Sequence, residues 1–171
     1  VVVGKPGCFA KGTRVMRYDG TMVNVEDVRL ADTLMGDDST ARKVLDLCQN
    51  REMMYRVSPE KGDSYVVNEN HILSLKGREG EILDITVRDF LGKSKTFQAG
   101  YEWYRVGVDF REQAVEVDPY LVGYWLGGGE VEVEVARRLD TAGNSDRCIP
   151  AVYKVNSRRH RLELLAGLID S

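Results

Sequence analysis

The chain has 171 residues, room for one domain and part of a second, and its 43% hydrophobic against 30% charged residues support a buried core and exclude a disordered chain. Lys+Arg 24 against Asp+Glu 27 leave a net charge of −3, which is not the footprint of a nucleic-acid binder, so any DNA-binding claim must rest on motifs. No run of about 18 apolar residues marks a membrane span, and Cys8, Cys48 and Cys148 lie too far apart for a zinc site or a disulfide framework, so a reducing, intracellular setting is the default.

Val1-Val2-Val3 runs into glycine and proline with no basic stretch before it, so no signal peptide is expected, and without a starting Met the chain is expected to be cut from something longer. From Thr13 to Val108 short β segments follow one another: 13–18, 21–28, 41–48, 52–58, 64–67, 71–75, 81–87 and 101–108. Turn residues at Asp19-Gly20, Gly36-Asp37-Asp38 and Lys61-Gly62-Asp63 separate them, which predicts a mainly β fold. At Asp118 the period changes. Asp118 as N-cap and Pro119 at the first helical position predict a helix through PYLVGYWLG. Glu130 to Val135 alternates Glu with Val, the period of a strand, and Asp140 to Asp146 reads as a polar loop. Ser157 then caps a second helix, whose apolar positions are Leu162, Leu165, Leu168 and Ile169.

The stretch Cys8-Phe9-Ala10-Lys11-Gly12-Thr13, followed by a β hairpin, resembles the opening of an intein, the self-splicing Hint domain. Val66-Val67-Asn68-Glu69-Asn70-His71-Ile72-Leu73 resembles the family's second motif, with Asn68 where threonine is usual. The resemblance implies an all-β Hint-type domain over residues 8–115, a scissile bond between Gly7 and Cys8, and Cys8, Asn68, Asn70 and His71 as site residues. It also implies a C-terminal intein segment and host exteins as partners, no cofactor for splicing, and an intracellular location that follows the host.

The chemistry asks for these residue types on its own terms. A nucleophile directly after the bond reaches the Gly7 carbonyl through a five-membered ring, and Gly7 carries no side chain to block it. The departing amine must be protonated, a task for His71, and the developing oxyanion needs a fixed donor, for which the Asn68 amide NH2 is a candidate. Isolated cysteines are more often small buried hydrophobes, which suits Cys48 in an apolar strand and Cys148 beside Ile149-Pro150. His160, among Arg158, Arg159 and Arg161, is expected on a solvated face.

The first seven residues, a β run and a glycine turn, begin as a phosphate-binding P-loop begins, but Phe9-Ala10 stand where Gly-Lys is needed. The break falls at the intein's first residue, so residues 1–7 are read as the flank of a host ATPase whose P-loop splicing restores. The alternative is an ordinary edge strand and turn.

Tyr120 to Gly129 and Leu164-Leu165-Ala166-Gly167-Leu168-Ile169-Asp170 resemble the paired motif helices of LAGLIDADG homing endonucleases. In that family each helix ends in an acid that helps hold a metal for phosphodiester cleavage. Here Gly128 takes the first position, and the chain ends at Ser171 with Asp170 near the second. Glu130, Glu132 and Glu134 would repel phosphates if the intervening valines pack inward. Residues 116–171 are therefore expected to be a short α+β endonuclease remnant that has lost activity, with Mg2+ needed only by an intact enzyme and DNA a weak partner. A catalytically silent β module, DNA-associated through that remnant, is the competing reading. An ATP-binding protein is excluded by the incomplete P-loop.

Overall fold

The computed structural model describes residues 7–59, 62–141 and 148–171, and the chain divides into two compact units, 1–107 and 108–171. Among the described residues, unit 1 is built from nine short strands in four antiparallel sheets. Strands β1 (Arg14–Met16) and β2 (Met22–Asn24) pair around the Asp19-Gly20 turn, where the Asp19 carboxylate accepts from the Thr21 N–H and Gly20 takes a left-handed φ of 83°. Strands β3 (Thr33–Met35) and β4 (Ala41–Lys43) form a second hairpin over a small core of Val28, Leu34 and Val44.

Strands β5 (Met54–Val57) and β6 (Tyr65–Asn68) pair from Met54↔Asn68 to Val57↔Tyr65. A three-stranded sheet of β7 (Ile72–Gly77), β8 (Ile82–Thr86) and β9 (Tyr101–Trp103) has β7 at its centre. The larger core of the unit gathers Val57, Val67, Leu73, Leu75 and Ile85 from the inward sides of alternating strands of both sheets, together with Val87, the residue that follows β8. Two short helices lie between β8 and β9. Helix α1 (Val87–Leu91) starts at the N-cap Thr86, whose hydroxyl accepts from the Asp89 N–H, and α2 (Lys95–Gln98) starts at Ser94 in the same way through the Phe97 N–H.

The hairpin strands are where the turn signals put them, but several segments differ from the sequence reading. Strand β3 was hidden because only three residues of it pair. Val25–Asp27 is a 3-10 turn and residues 45–53 leave the sheet, so the predicted strands 21–28 and 41–48 are each cut to three residues. Helices α1 and α2 carry no periodic signal in the sequence, because each is a single capped turn, too short to show a 3.6-residue period. Residues 60 and 61, and with them Lys61 of a predicted turn, lie outside the described residues, whereas Gly62 has a left-handed φ of 100°.

In unit 2 the regular structure of the described residues is helical. Helix α3 (Pro119–Leu126) begins as expected at Asp118, whose carboxylate accepts from the Tyr120 and Leu121 N–H groups. Helix α4 (Val133–Thr141) replaces the predicted strand at Glu130 to Val135 and takes in the start of the predicted polar loop, of which residues 142–147 lie outside the described residues. The reason lies in spacing that alternation obscures. Val131, Val135 and Leu139 recur every four residues and pack into the core, while Glu134 meets Arg137 and Arg138 at i+3 and i+4. Val133, assigned inward by alternation, is 85% exposed. The α+β expectation for this region gives way to α5 (Ala151–Lys154) and α6 (Arg158–Asp170), the latter capped by Ser157, whose hydroxyl accepts from the His160 N–H.

The face of α6 also differs. His160, Leu164 and Gly167 are buried, while Leu162, Leu165 and Ile169 are exposed. Glycines set that choice. A Cβ on Gly123 of α3 would overlap the Leu164 carbonyl, and one on Gly167 would overlap the Tyr120 carbonyl, so the two backbones touch where these glycines face each other. His160 is not on a solvated face. Its Nδ1 lies 2.9 Å from the Oδ1 of Asn156, a fully buried residue whose Nδ2 donates to the Gln113 and Val152 carbonyls.

Candidate functional site

The segment Cys8-Phe9-Ala10 lies antiparallel along β6. Ala10 N–H donates to the Val66 carbonyl at 2.8 Å, Phe9 bridges Val67, and Asn68 N–H donates to the Cys8 carbonyl at 3.0 Å. The main chain of the first motif is thus held by the second, and Cys8 and Asn68 face each other across the end of the ladder. The Cys8 N–H donates to Asn68 Oδ1 at 2.9 Å. The other end of that amide, Nδ2, donates to Glu52 Oε2 at 2.6 Å, and Glu52 Oε1 accepts from Asn50 Nδ2 at 2.9 Å. Asn68 is buried at 3% exposure, so its rotamer is fixed by both partners.

This arrangement turns the amide the opposite way from an oxyanion donor: the oxygen faces the Cys8 N–H and the NH2 faces Glu52. Glu52 and Asn50 were invisible to sequence reasoning, because nothing in their spacing connects them to residue 68; only the β5–β6 register, with Met54 opposite Asn68, brings them there.

After Asn68 the chain turns, with the His71 N–H donating to the Asn68 carbonyl at 3.2 Å. The turn is pinned from α1, since the Val87 N–H donates to the His71 carbonyl, the Arg88 N–H donates to the Glu69 carbonyl, and Arg88 pairs with the Glu69 carboxylate. Asn70 sits exposed on this turn. The His71 ring is half-buried, edge-on to Phe9 at 4.6 Å between ring centres. Its Nδ1 is buried and has no hydrogen-bond partner among the described residues, and burial pushes its pKa below the usual 6.5, so the neutral imidazole predominates at pH 7.

Gly7 stands directly against this ring. Its φ of 136° is in the left-handed range, and a Cβ built on it would overlap the His71 Cα and sit 2.8 Å from Nδ1. Residues 1–6, and so most of the P-loop-like flank, lie outside the described residues.

Cys8 opens onto two clefts. One, of about 500 Å³, is lined by Lys11, Glu26, Arg29 and Cys48 among others, and the second, of about 370 Å³, by Asn50, Glu52, Met54 and Asn68. Cys48, expected in an apolar strand, is exposed in the 45–53 stretch, with its Sγ 3.8 Å from that of Cys8; Cys148, expected buried, is exposed too. Burial first, and then the Cys48 thiol, raise the Cys8 pKa above the ordinary 9.0.

In unit 2, Asp170 is exposed and its Oδ2 accepts from the Tyr120 hydroxyl at 3.2 Å. At the end of α3, Gly127, Gly128 and Gly129 supply no carboxylate. These residues do not fit a divalent cation, which needs several oxygen ligands converging on one point. Among the described residues no group of three or more His, Cys, Asp and Glu is placed to share a metal ion, and no helix is long and apolar enough to cross a membrane.

Residues 8–100 match the family described as Hom_end-associated Hint. The catalytic chain of a V-type proton ATPase from Candida tropicalis is 27% identical over 157 residues, a match that covers 85% of this chain. The chain spans about 14% of that relative's length.

Proposed function

The chain belongs to the Hom_end-associated Hint family, the Hint domain of inteins associated with homing endonucleases, and from that premise we propose that it carries out the first step of protein splicing, an N–S acyl shift at Gly7-Cys8. The observation that carries this reading is the clamp on the bond: Cys8 N–H on Asn68 Oδ1 on one side, Gly7 against the His71 ring on the other.

In this reading the Cys8 thiol gives its proton to neutral His71 and Sγ attacks the Gly7 carbonyl carbon, forming a tetrahedral oxyanion. His71 then returns the proton to the Cys8 nitrogen, the C–N bond breaks, and a Gly7 thioester with a free Cys8 amine remains. Asn68 orients the departing nitrogen, and Glu52 is a positioning residue that keeps Asn68 Oδ1 turned toward it. Asn70, exposed on the turn, has no direct part. Completion of splicing requires the C-terminal intein segment and the host exteins.

Unit 2 is read as an endonuclease-like helix pair without nuclease activity, supported by the glycine contact of α3 with α6 and by Gly128, which brings no carboxylate to the end of α3. An ATP-hydrolysing host is supported by Gly4-Lys5-Pro6-Gly7 and by the proton ATPase chain among the relatives. The test is nucleophile-induced cleavage of a precursor carrying a reporter ahead of Gly7. Added dithiothreitol is expected to release the reporter with Gly7 as its last residue, and Cys8→Ala to abolish release.

A further inference from the structure

The site holds a second thiol that this chemistry does not use. We propose that Cys8 and Cys48 form a reversible disulfide that withholds the nucleophile, making the acyl shift responsive to thiol redox conditions; the regulatory part rests on the thioester reading given above.

The two sulfurs are 3.8 Å apart, side by side at the rim of one cleft, although 40 positions separate them in sequence. A disulfide needs about 2.05 Å between sulfurs, so one side must yield, and the two differ in how firmly they are held. Cys8 is fixed by the bonds of its segment to Val66 and Asn68. Cys48 belongs to a stretch outside any sheet, where the Leu47 and Arg51 N–H groups are satisfied by their neighbours Asp46 and Asn50. Such a stretch can move toward Cys8 without breaking a strand ladder. An exposed cysteine also contributes nothing to a core, so packing does not explain why this thiol stands against the nucleophile.

Burial raises the Cys8 thiol and leaves Cys48 as the sulfur open to solvent, so a small disulfide of the glutathione class meets Cys48 first. The Cys48 thiolate attacks it, forming a mixed disulfide and releasing one small thiolate. The Cys8 thiolate then attacks the Cys48 sulfur and expels the second. Two protein thiols are oxidised, the small disulfide is reduced to two thiols, and the protons lost by Cys8 and Cys48 end on those products. While the bond stands, Cys8 cannot attack Gly7.

The test uses the complete precursor with a reporter ahead of Gly7. It is incubated with oxidised glutathione and desalted, then split between non-reducing peptide mapping and cleavage by hydroxylamine, a nucleophile that attacks thioesters. We expect a Cys8–Cys48 linked peptide, reporter release that falls in step with the oxidised fraction, and full recovery after a phosphine reductant. In Cys48→Ser, oxidation should leave release unchanged. No linked peptide in the oxidised wild type would overturn the inference even if the reduced precursor cleaves normally. Equal loss of release on oxidation in Cys48→Ser would overturn its regulatory part. A reduced precursor that never releases the reporter would instead defeat the thioester reading, with peptide mapping still deciding the pairing by itself.

Discussion

The Cys8 N–H is held at 2.9 Å by Asn68 Oδ1, and the same amide is held from behind by Glu52. Removing Asn68 leaves the Cys8 N–H without its acceptor, so Asn68→Ala should lower the stability of unit 1 by about 1–3 kcal/mol. Misplacing the reacting group by about 1 Å should also slow dithiothreitol-induced release by about 100-fold. Glu52→Ala should show both effects more weakly, because Glu52 is itself exposed but accepts from the Nδ2 of the buried Asn68. Melting curves and release rates on the two variants check both expectations.

Gly7→Ala tests the contact with His71. The added methyl meets the His71 backbone as well as its ring, and the backbone there is pinned through α1, so the new side chain must move Gly7 away. Release should fall sharply while circular dichroism of the folded chain stays unchanged. Release at the rate of the unsubstituted chain would show that the His71 contact has no part in the step.

The pH dependence follows from burial of His71. Its folded pKa lies below the unfolded 6.5, so between those values the unfolded chain binds the extra proton and the folded one does not. Stability attributable to His71 is therefore fully present above about 6.5 and is lost as pH falls through the lower, folded pKa. Denaturant titrations of unit 1 should show a decline below that pH that is flattened in His71→Gln. Release should also persist somewhat below pH 6.5, because neutral His71 is the form that accepts the thiol proton.

In unit 2 the glycine contact predicts an inversion of ordinary helix propensity. Gly→Ala within a helix gains about 1 kcal/mol when the site is open. At Gly123 and Gly167 the new methyl overlaps backbone carbonyls of the facing helix, which cannot rotate aside, and overpacking costs about 1–3 kcal/mol or more. Both substitutions should lower the melting temperature of unit 2, whereas Leu165→Ala, on the exposed side of α6, should change it little. Incubation of the purified chain with Mg2+ and DNA spanning the uninterrupted host site should give no site-specific nicking.

The Hint domain was legible in the sequence from the two motifs around Cys8 and His71, and the helix caps Asp118 and Ser157 from a capping residue ahead of an apolar run. What was not legible depends on partners far along the chain. The direction of the Asn68 amide is set by Glu52, the place of Cys48 by where the chain leaves β4, and the buried face of α6 by glycines on another helix. Glu130 to Val135 misled for a different reason: six alternating residues fit both a strand and the first part of a helix, and only Leu139, outside that window, decides between them.

The acyl shift at Gly7-Cys8 is read out by mass spectrometry of the reporter released from the complete precursor by a thiol nucleophile. The unsubstituted precursor, and not Cys8→Ala, should give a product that ends at Gly7 and carries the nucleophile on its carboxyl carbon. A product of the same mass from Cys8→Ala, or cleavage at any other bond, would contradict that shift.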